Sequence, residues 1–322
     1  MRRLLPHKIG GIGLALLLPA VATPPVVTAQ QGSPPGTFEL TPKTDVELQS
    51  TPVETDPRFD FLPDDLTLNL PPGFSVRVFA AFDITAEGPR FMAFDAAGVL
   101  HAASANADEI VALPDRDGDG VADEVLVAAA DFQRAHSLAF HQGDLLVGDR
   151  GQIVRLRDPD SDGVYEERRN LVSGIPSSGS HSTRTIVVDE ANGKIYLSVG
   201  WPVDMGRVSG SERGAILQFN TDGSGQRVFA SGVRNVVGMA LHPVTNQLWA
   251  TNNGHDREGT WLPPEWVDII REDGFYGVPF AYPHQVYVDF TIPPYDAILP
   301  LSAADSLLVQ SMQPAAALLP AH

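Results

Sequence analysis

The chain has 322 residues, which is enough for two average domains or for one large β domain. Asp and Glu outnumber Lys and Arg by 40 to 22, and the resulting charge of −18 argues against binding to nucleic acid or to an anionic membrane surface. There is no cysteine, which excludes disulfides, thiolate metal sites, cysteine nucleophiles and covalently attached haem. The 29 glycines and 27 prolines favour many short strands and turns over long helices.

The N-terminus has the layout of a secretory signal peptide. Basic residues among the first eight precede an apolar stretch at 9–22, and small residues at 27–29 suit a signal peptidase. The apolar stretch contains Pro19 and is shorter than the roughly 20 residues of a membrane-spanning helix. We therefore predict that residues 1–29 are removed on export, that the mature chain has no membrane span, and that the protein is secreted or periplasmic. Residues 30–65, rich in Pro, Thr and Asp, predict a flexible leader before a folded domain at 66–322.

From residue 90 onward, a pattern of short apolar strands and turns recurs four times. The first strands of the repeats align at Phe91, Leu138, Ile186 and Met239, which lie 47, 48 and 53 residues apart. The first three repeats each continue into a third and a fourth strand. Four strands in about 45–50 residues is typical of a β-propeller blade. The sequence therefore predicts an all-β propeller of four-stranded blades, with a sandwich of unrelated hairpins as the alternative.

Polar residues recur where the predicted innermost strands begin. They are Arg90, His136, His181 with Arg184, and Arg234 with Asn235. The innermost strands of a propeller surround its central channel, so these side chains are expected at one mouth of that channel. A ring of cations and donors suits an anionic small molecule, because arginine pairs with carboxylates in a bidentate fork. The alternative for each residue taken alone is a solvated turn.

Two acidic loops lie one repeat apart and share the pattern D-x-D-x-D-G-x-x followed by an acid. Alternate carboxylates of this kind can converge on Ca²⁺, and the glycine permits the sharp turn. The candidate ligands are Asp115, Asp117, Asp119, Asp123, Asp158, Asp160, Asp162 and Glu166. Neither loop is an EF-hand, because Leu126 and Arg169 stand where the bidentate glutamate would be. A solvated acidic turn is the alternative at both places.

Three longer stretches carry a family resemblance. They are His181-Ser182-Thr183-Arg184 with the strand that follows it to Gly200, Gly232-Val233-Arg234-Asn235 continuing to Asn253-Gly254-His255-Asp256, and Asp273-Gly274-Phe275-Tyr276-Gly277-Val278-Pro279. In this order and spacing, the chain from Leu70 onward resembles the soluble quinoprotein sugar dehydrogenases. These are six-bladed propellers that use pyrroloquinoline quinone (PQQ), and they include glucose, sorbosone and pyranose dehydrogenases.

The resemblance implies an oxidoreductase that passes a hydride from a sugar or sugar-aldehyde hydroxyl to PQQ with the help of Ca²⁺. It implies that His181 is the general base, a role that suits an imidazole with a pKa near neutrality. It also implies that Arg234 and Asn235 lie beside the quinone oxygens, where donors stabilise developing negative charge.

The resemblance implies further contacts as well. Gly254 and His255 are expected to supply backbone carbonyls to the catalytic Ca²⁺, which acts as a Lewis acid. Arg184 and His136 are additional candidates for contacts to cofactor or substrate. The chain has no haem motif, so the resemblance implies a separate electron acceptor.

The chain also departs from the family pattern. Trp201 stands where glucose-oxidising members have an aspartate, which favours the sorbosone or pyranose branch or another substrate. Residues 314–322 resemble the approach to another innermost strand, so about one and a half blades are expected to be missing at the C-terminus. Three alternatives therefore stay open: a non-catalytic exported propeller that binds carbohydrate or protein, an inactive fragment, and a Ca²⁺-dependent lactonase, which would need carboxylate or asparagine ligands at the channel.

Overall fold

The computed structural model describes residues 12–16, 38–39, 46–83, 89–104 and 108–321. Within these residues there is one α-helix, α1 (Ala303–Ser311), and there are two 3₁₀ helices, Pro57–Phe59 and Tyr295–Ile298. None of the helices in this part of the chain is long and apolar enough to cross a membrane.

The rest of the regular structure is β. In chain order the strands are β1 (Ile12–Leu16), β2 (Phe38–Glu39), β3 (Gln49–Glu54), β4 (Thr67–Leu70), β5 (Val76–Asp83), β6 (Phe91–Phe94), β7 (Leu100–Ser104), β8 (Glu109–Leu113), β9 (Leu126–Ala129), β10 (Ser137–His141), β11 (Asp144–Asp149), β12 (Gln152–Arg157), β13 (Glu167–Ser173), β14 (Ile186–Asp189), β15 (Lys194–Val199), β16 (Ala215–Asn220), β17 (Arg227–Ser231), β18 (Met239–Leu241), β19 (Leu248–Asn252), β20 (Glu265–Ile269), β21 (Gly274–Phe275), β22 (Ala281–Tyr282), β23 (Val286–Tyr287) and β24 (Ala317–Leu319).

The chain divides into two compact units. The described part of the first unit comprises β1 and residues 46–83, 89–104, 108–135 and 158–166. It contains the antiparallel sheet β6-β7-β8-β9 and a mixed sheet in the order β1-β5-β3-β4.

The described part of the second unit comprises β2 and residues 136–157 and 167–321. It contains the sheets β10-β11-β12-β13, β14-β15-β16-β17-β21, β18-β19-β20-β24-β2 and β22-β23. The four-stranded antiparallel sheets of both units have the strand order of propeller blades. The prediction of an all-β propeller of four-stranded blades is therefore confirmed.

Alternation along β15 shows how neighbouring blades of the second unit pack. Ile195 and Leu197 join an apolar cluster with Leu146 and Ile153 of the preceding blade. Tyr196, on the opposite face, joins a cluster with residues of the following blade such as Leu248. Successive side chains of a strand point to opposite faces, so a sheet enclosed on both sides has apolar residues at consecutive positions.

The C-terminal strand corrects one expectation. Residues 317–319 form β24, which pairs antiparallel with β20 and completes the blade that begins at β18, with Val267 opposite Ala317 and Glu265 opposite Leu319. The sequence had predicted that these residues approach a new innermost strand, and this prediction is wrong. The pairing escapes a sequence reading because 47 residues separate the two strands, and no local period shows that the edge of β20 is open.

The leader prediction is also wrong for residues 46–65. Strand β3 pairs antiparallel with β4 and parallel with β5, and the side chains of Phe59 and Leu62 are buried against Val78. Burial of these apolar side chains, with Val53 packed against the same cluster, stabilises a stretch that is rich in polar residues. The predicted signal peptide and the earlier part of the leader lie outside the described residues, apart from the short strands β1 and β2.

Candidate functional site

The candidate site lies in the second unit, where the segments before β14 and β18 meet. A Cβ added to Gly200 would lie 2.5 Å from the Cβ of His181 and 3.4 Å from Oδ1 of Asn235, so this glycine lets the two segments approach. The hydroxyl of Thr183 donates to Oδ1 of Asn235 (2.6 Å), and the backbone N–H of Trp201 donates to the carbonyl of Arg234 (2.7 Å). The structure thus brings together residues that lie about 50 positions apart in sequence.

The ring of His181 is held in one tautomer. Its Nδ1 is hydrogen-bonded to the backbone carbonyl of Trp201. Because a carbonyl can only accept, Nδ1 carries the proton and Nε2 carries a lone pair. Burial lowers the pKa of His181, the bond to Trp201 opposes this, and the charge of Arg234 lowers the pKa further. The imidazole is therefore neutral at neutral pH and able to accept a proton at Nε2.

The guanidinium of Arg234 is buried in an ion-pair network. Its Nη2 lies 2.7 Å from Oδ1 of Asp204 and 3.1 Å from Oδ2 of Asp256, and its Nε donates to the carbonyl of Asp204 (3.0 Å). The sequence predicted a basic ring here, but two carboxylates compensate this cation. The correction follows from the loop between β15 and β16, which carries Asp204 to the arginine.

Asp204 is the site residue that sequence reasoning missed. Its carboxylate also accepts from the hydroxyl of Tyr295 (2.7 Å) and from the backbone N–H of Asp256 (3.1 Å). Burial raises the pKa of Asp204, but the hydrogen bonds from Tyr295 and Arg234 outweigh it, so the net pKa is lowered. The only local signal is an acid four residues after Gly200, which is weak in a chain with 40 acids.

Arg184 and His136 lie at the starts of neighbouring strands. The hydroxyl of Ser137, next to His136, donates to the carbonyl of Arg184 (2.7 Å), and the backbone N–H of His136 donates to Gly148 (2.8 Å). Arg184 is 1% exposed, and its guanidinium donates to the backbone carbonyls of Thr183 and Pro176. Burial lowers its pKa to about 10. The guanidinium of Arg184 is therefore already hydrogen-bonded to backbone carbonyls of its own chain.

Gly254 and His255 follow the end of β19. The ring of His255 is buried, with Nε2 2.9 Å from Oε1 of Glu258, and it packs edge-on against Tyr295. Within the described residues, no hydrogen bond reaches the carbonyl oxygens of Gly254 or His255. Both residues line a small cavity of about 10 Å³ together with Arg234, which is about the space that one water needs. A backbone carbonyl is the kind of oxygen ligand that Ca²⁺ binds, so these residues fit the predicted role.

The two acidic loops, both in the first unit, differ in how many of the predicted ligands they bring together. In the second loop, oxygens of Asp158, Asp160, Asp162 and Glu166 all lie within 4.8 Å of one another. In the first, the corresponding group comprises Asp115, Asp117 and Asp119 and omits Asp123.

An arginine accounts for part of this difference. A nitrogen of the Arg58 guanidinium lies 2.7 Å from Oδ2 of Asp119, and another lies 4.0 Å from Oδ1 of Asp123. The other oxygen of Asp123 accepts from the backbone N–H of Arg116 (2.7 Å). The second loop is therefore the one that gathers all four predicted ligands.

The fold and this site define a β-propeller protein with a histidine and an arginine–carboxylate network at the starts of adjacent blades. The chain belongs to the family described as "Domain of unknown function (DUF7133)", whose model matches residues 66–273. An uncharacterized protein of Borreliella burgdorferi is 25% identical over 227 residues, which are 67% of this chain and 57% of that protein. The chain thus spans little more than half the length of this curated relative.

Solved structures share the fold. The PQQ domain of a pyranose dehydrogenase from Coprinopsis cinerea, in its holo form, superposes with a TM-score of 0.63 at 20% identity, covering 79% of this chain and 70% of that one. A carbohydrate-active enzyme of family AA12 from Trichoderma reesei gives a TM-score of 0.60 at 18% identity, covering 73% and 68% of the two chains. At these identities the similarity establishes the fold.

Proposed function

We propose that this chain is part of an exported quinoprotein oxidoreductase. It oxidises a hydroxyl of a sugar or sugar aldehyde, with PQQ as the hydride acceptor, Ca²⁺ as the Lewis acid and a separate protein or molecule as the final electron acceptor. The observation that carries the proposal is the neutral, tautomer-fixed imidazole of His181 beside Asn235 and the Arg234 network. The Coprinopsis neighbour is named as a PQQ domain, which supports the choice of cofactor.

The residues of this chain divide the work. Nε2 of His181 takes the hydroxyl proton while the carbon gives up its hydride, and the hydroxyl becomes a carbonyl. Oδ1 of Asn235 is occupied by the hydroxyl of Thr183, so the amide nitrogen of Asn235 is the group left to donate to an oxygen that gains negative charge. When bound, PQQ supplies the electrophilic carbonyl carbon for the hydride. The carbonyls of Gly254 and His255 would hold the Ca²⁺.

The main test is reconstitution with Ca²⁺ and PQQ, followed by turnover of a panel of sugars with an artificial electron acceptor. A ligand that binds only the folded protein stabilises it by about 2.7 kcal/mol at 100 times its Kd, so PQQ should raise the melting temperature. The variant His181→Gln should lose about 10²–10⁴-fold in kcat while keeping the PQQ-dependent rise. Unchanged turnover would remove His181 from the mechanism.

Two other outcomes would replace the proposal. A cooperative transition that responds to carbohydrate but not to PQQ would favour a non-catalytic binding propeller. Hydrolysis of a lactone with Ca²⁺ alone would favour a lactonase. The structure gives that reading less support, because the carboxylates of Asp204 and Asp256 pair with Arg234 rather than being free to bind a metal.

We also propose that the second acidic loop binds a structural Ca²⁺ more tightly than the first. Its four gathered carboxylates support this, whereas Arg58 already compensates part of the first loop. Asp160→Asn should reduce the Ca²⁺-dependent rise in melting temperature, while the matched variant Asp117→Asn should leave it nearly intact. Equal effects of the two variants would contradict the proposal that the second loop binds Ca²⁺ more tightly than the first.

A further inference from the structure

A second basic site lies in the blade β10–β13. A cavity of about 200 Å³ is lined by Asp144, Arg155, Arg157, Glu167, Arg168 and Arg169. The chain as a whole carries a charge of −18 and has only 22 basic residues, yet four of them line this one cavity. With two acids present, the lining carries two net positive charges.

The register of the sheet creates this concentration of charge. Arg155 of β12 lies directly opposite Arg169 of β13, and Arg157 lies opposite Glu167. Residues directly opposite each other in an antiparallel pair share a face, with Cβ atoms about 4.5–5.5 Å apart, and like charges there destabilise the sheet. Arg155 and Arg157 are two residues apart on one strand, so they share that face too.

The acids of the cavity compensate only part of this charge. Asp144 is buried and accepts from Nε of Arg155 and from Nε (3.0 Å) and Nη2 (3.2 Å) of Arg157. Burial raises the pKa of Asp144, but these two arginines lower it more, so the carboxylate is ionised. Glu167 lies 3.7 Å from Arg157. Within the described residues, no carboxylate lies within 4.0 Å of the guanidinium of Arg169, and Asp222 interacts with its charge from a longer distance.

We propose that this cavity binds a tetrahedral oxyanion group, a phosphate or a sulfate. The cross-strand pair Arg155 and Arg169 offers two guanidinium forks, and each fork matches two oxygens of a tetrahedral oxyanion. A tetrahedral oxyanion has enough oxygens for both forks, whereas a single carboxylate fills only one. The oxyanion comes either as a free inorganic ion or as an ester on a sugar.

The test uses the full chain and inorganic phosphate, with binding followed by calorimetry at constant ionic strength and chloride as the competing anion. Arg169→Gln should weaken phosphate binding about tenfold or more, because it removes a charge-assisted hydrogen bond. Arg116→Gln is the matched control. Arg116 is 61% exposed and pairs with Glu124 in the loop between β8 and β9, so the same loss of charge should leave the Kd within about twofold.

The other probes decide the source of the oxyanion. Tighter binding of glucose 6-phosphate or glucose 6-sulfate than of the inorganic ions assigns the site to an ester, and equal binding assigns it to the free oxyanion. Absence of phosphate and sulfate binding overturns the proposal, as does equal weakening by Arg169→Gln and Arg116→Gln. The site is independent of the proposed oxidation, so His181→Gln should leave phosphate binding unchanged.

Discussion

The segments before β14 and β18 hold equivalent places in successive blades, and each contains a buried arginine, yet the two cations are stabilised by different means. Arg184 donates to the carbonyls of Thr183 and Pro176, and its pKa falls to about 10. Arg234 lies 2.7 Å from the carboxylate of Asp204. One cation is thus held by backbone dipoles and the other by opposite charge. A motif position in a repeat therefore fixes where a side chain lies but not its electrostatic surroundings.

The largest expected effect is that of Arg234→Met, which should lower the free energy of unfolding by about 3 kcal/mol. The reason is that Asp204, whose side chain is 20% exposed, loses its closest cation and stays charged in a partly dry site. Urea denaturation at neutral pH measures it. The double variant Arg234→Met with Asp204→Asn should recover much of the loss. A loss below about 1 kcal/mol would show that water or Arg257, whose Nε lies 3.4 Å from Oδ2 of Asp204, compensates the carboxylate.

The same substitution at the other arginine sharpens the comparison. Arg184→Met should cost only about 1–2 kcal/mol, because it leaves two carbonyls without their donor rather than a carboxylate without its closest cation. The two variants remove the same group from equally buried positions, so they are matched controls for each other in one set of urea curves. A loss as large as that of Arg234→Met would contradict the distinction drawn here.

The pH dependence of stability gives a smaller effect. Burial lowers the folded-state pKa values of His101, His181 and His255 below the ordinary value of 6.5. Below pH 6.5 the unfolded chain therefore binds more protons than the folded one, so stability falls as the pH drops from 6.5 towards the folded pKa values. We expect the free energy of unfolding to fall by about 1 kcal/mol between neutral and mildly acidic pH, which urea curves recorded across that range measure.

The variant His181→Gln tests the share of one group in that decline. It removes one proton-binding difference, so the stability of the variant should fall less steeply with acidification than that of the wild type. An unchanged slope would mean that His181 titrates alike in the folded and unfolded chains.

The smallest expected effect concerns the electrostatic interaction between Asp204 and His181. The negative charge of Asp204 raises the pKa of His181 slightly, so Asp204→Asn should lower that pKa. An NMR titration of the His181 ring measures the change, with Arg184→Met as the control variant. A rise in the His181 pKa would mean that the released guanidinium of Arg234 moves rather than staying in place.

Much of the fold could be predicted from local pattern. The innermost strands begin at Phe91, Ser137, Ile186 and Met239, and each contains the residue at which the sequence repeats were aligned. The repeat can be recognised in the sequence because every blade needs strands with the same alternation of side chains and the same turns between them. The pairing of β24 with β20 was not predictable, since it depends on a strand edge that lies far away in sequence. The folded conformation of residues 46–65 was not predictable either, since it depends on an apolar surface formed by later residues.

The candidate site divides in the same way. The sequence placed His181, Arg234 and Asn235 at neighbouring strand starts, and the structure brings these segments together around Gly200. It could not show that Asp204 would pair with Arg234, because the loop that carries Asp204 has no period to read.

By itself, then, the sequence determined the strand repeat, the positions of the polar residues in it and the two acidic loops, because these follow from side-chain alternation and turn chemistry over a few residues. Only the tertiary structure decided which charges meet. Arg58 reaches the first acidic loop, Asp204 reaches Arg234, and Arg155 faces Arg169 across the sheet. Electrostatic energy depends on distance in space and on burial, and residues far apart in sequence set both.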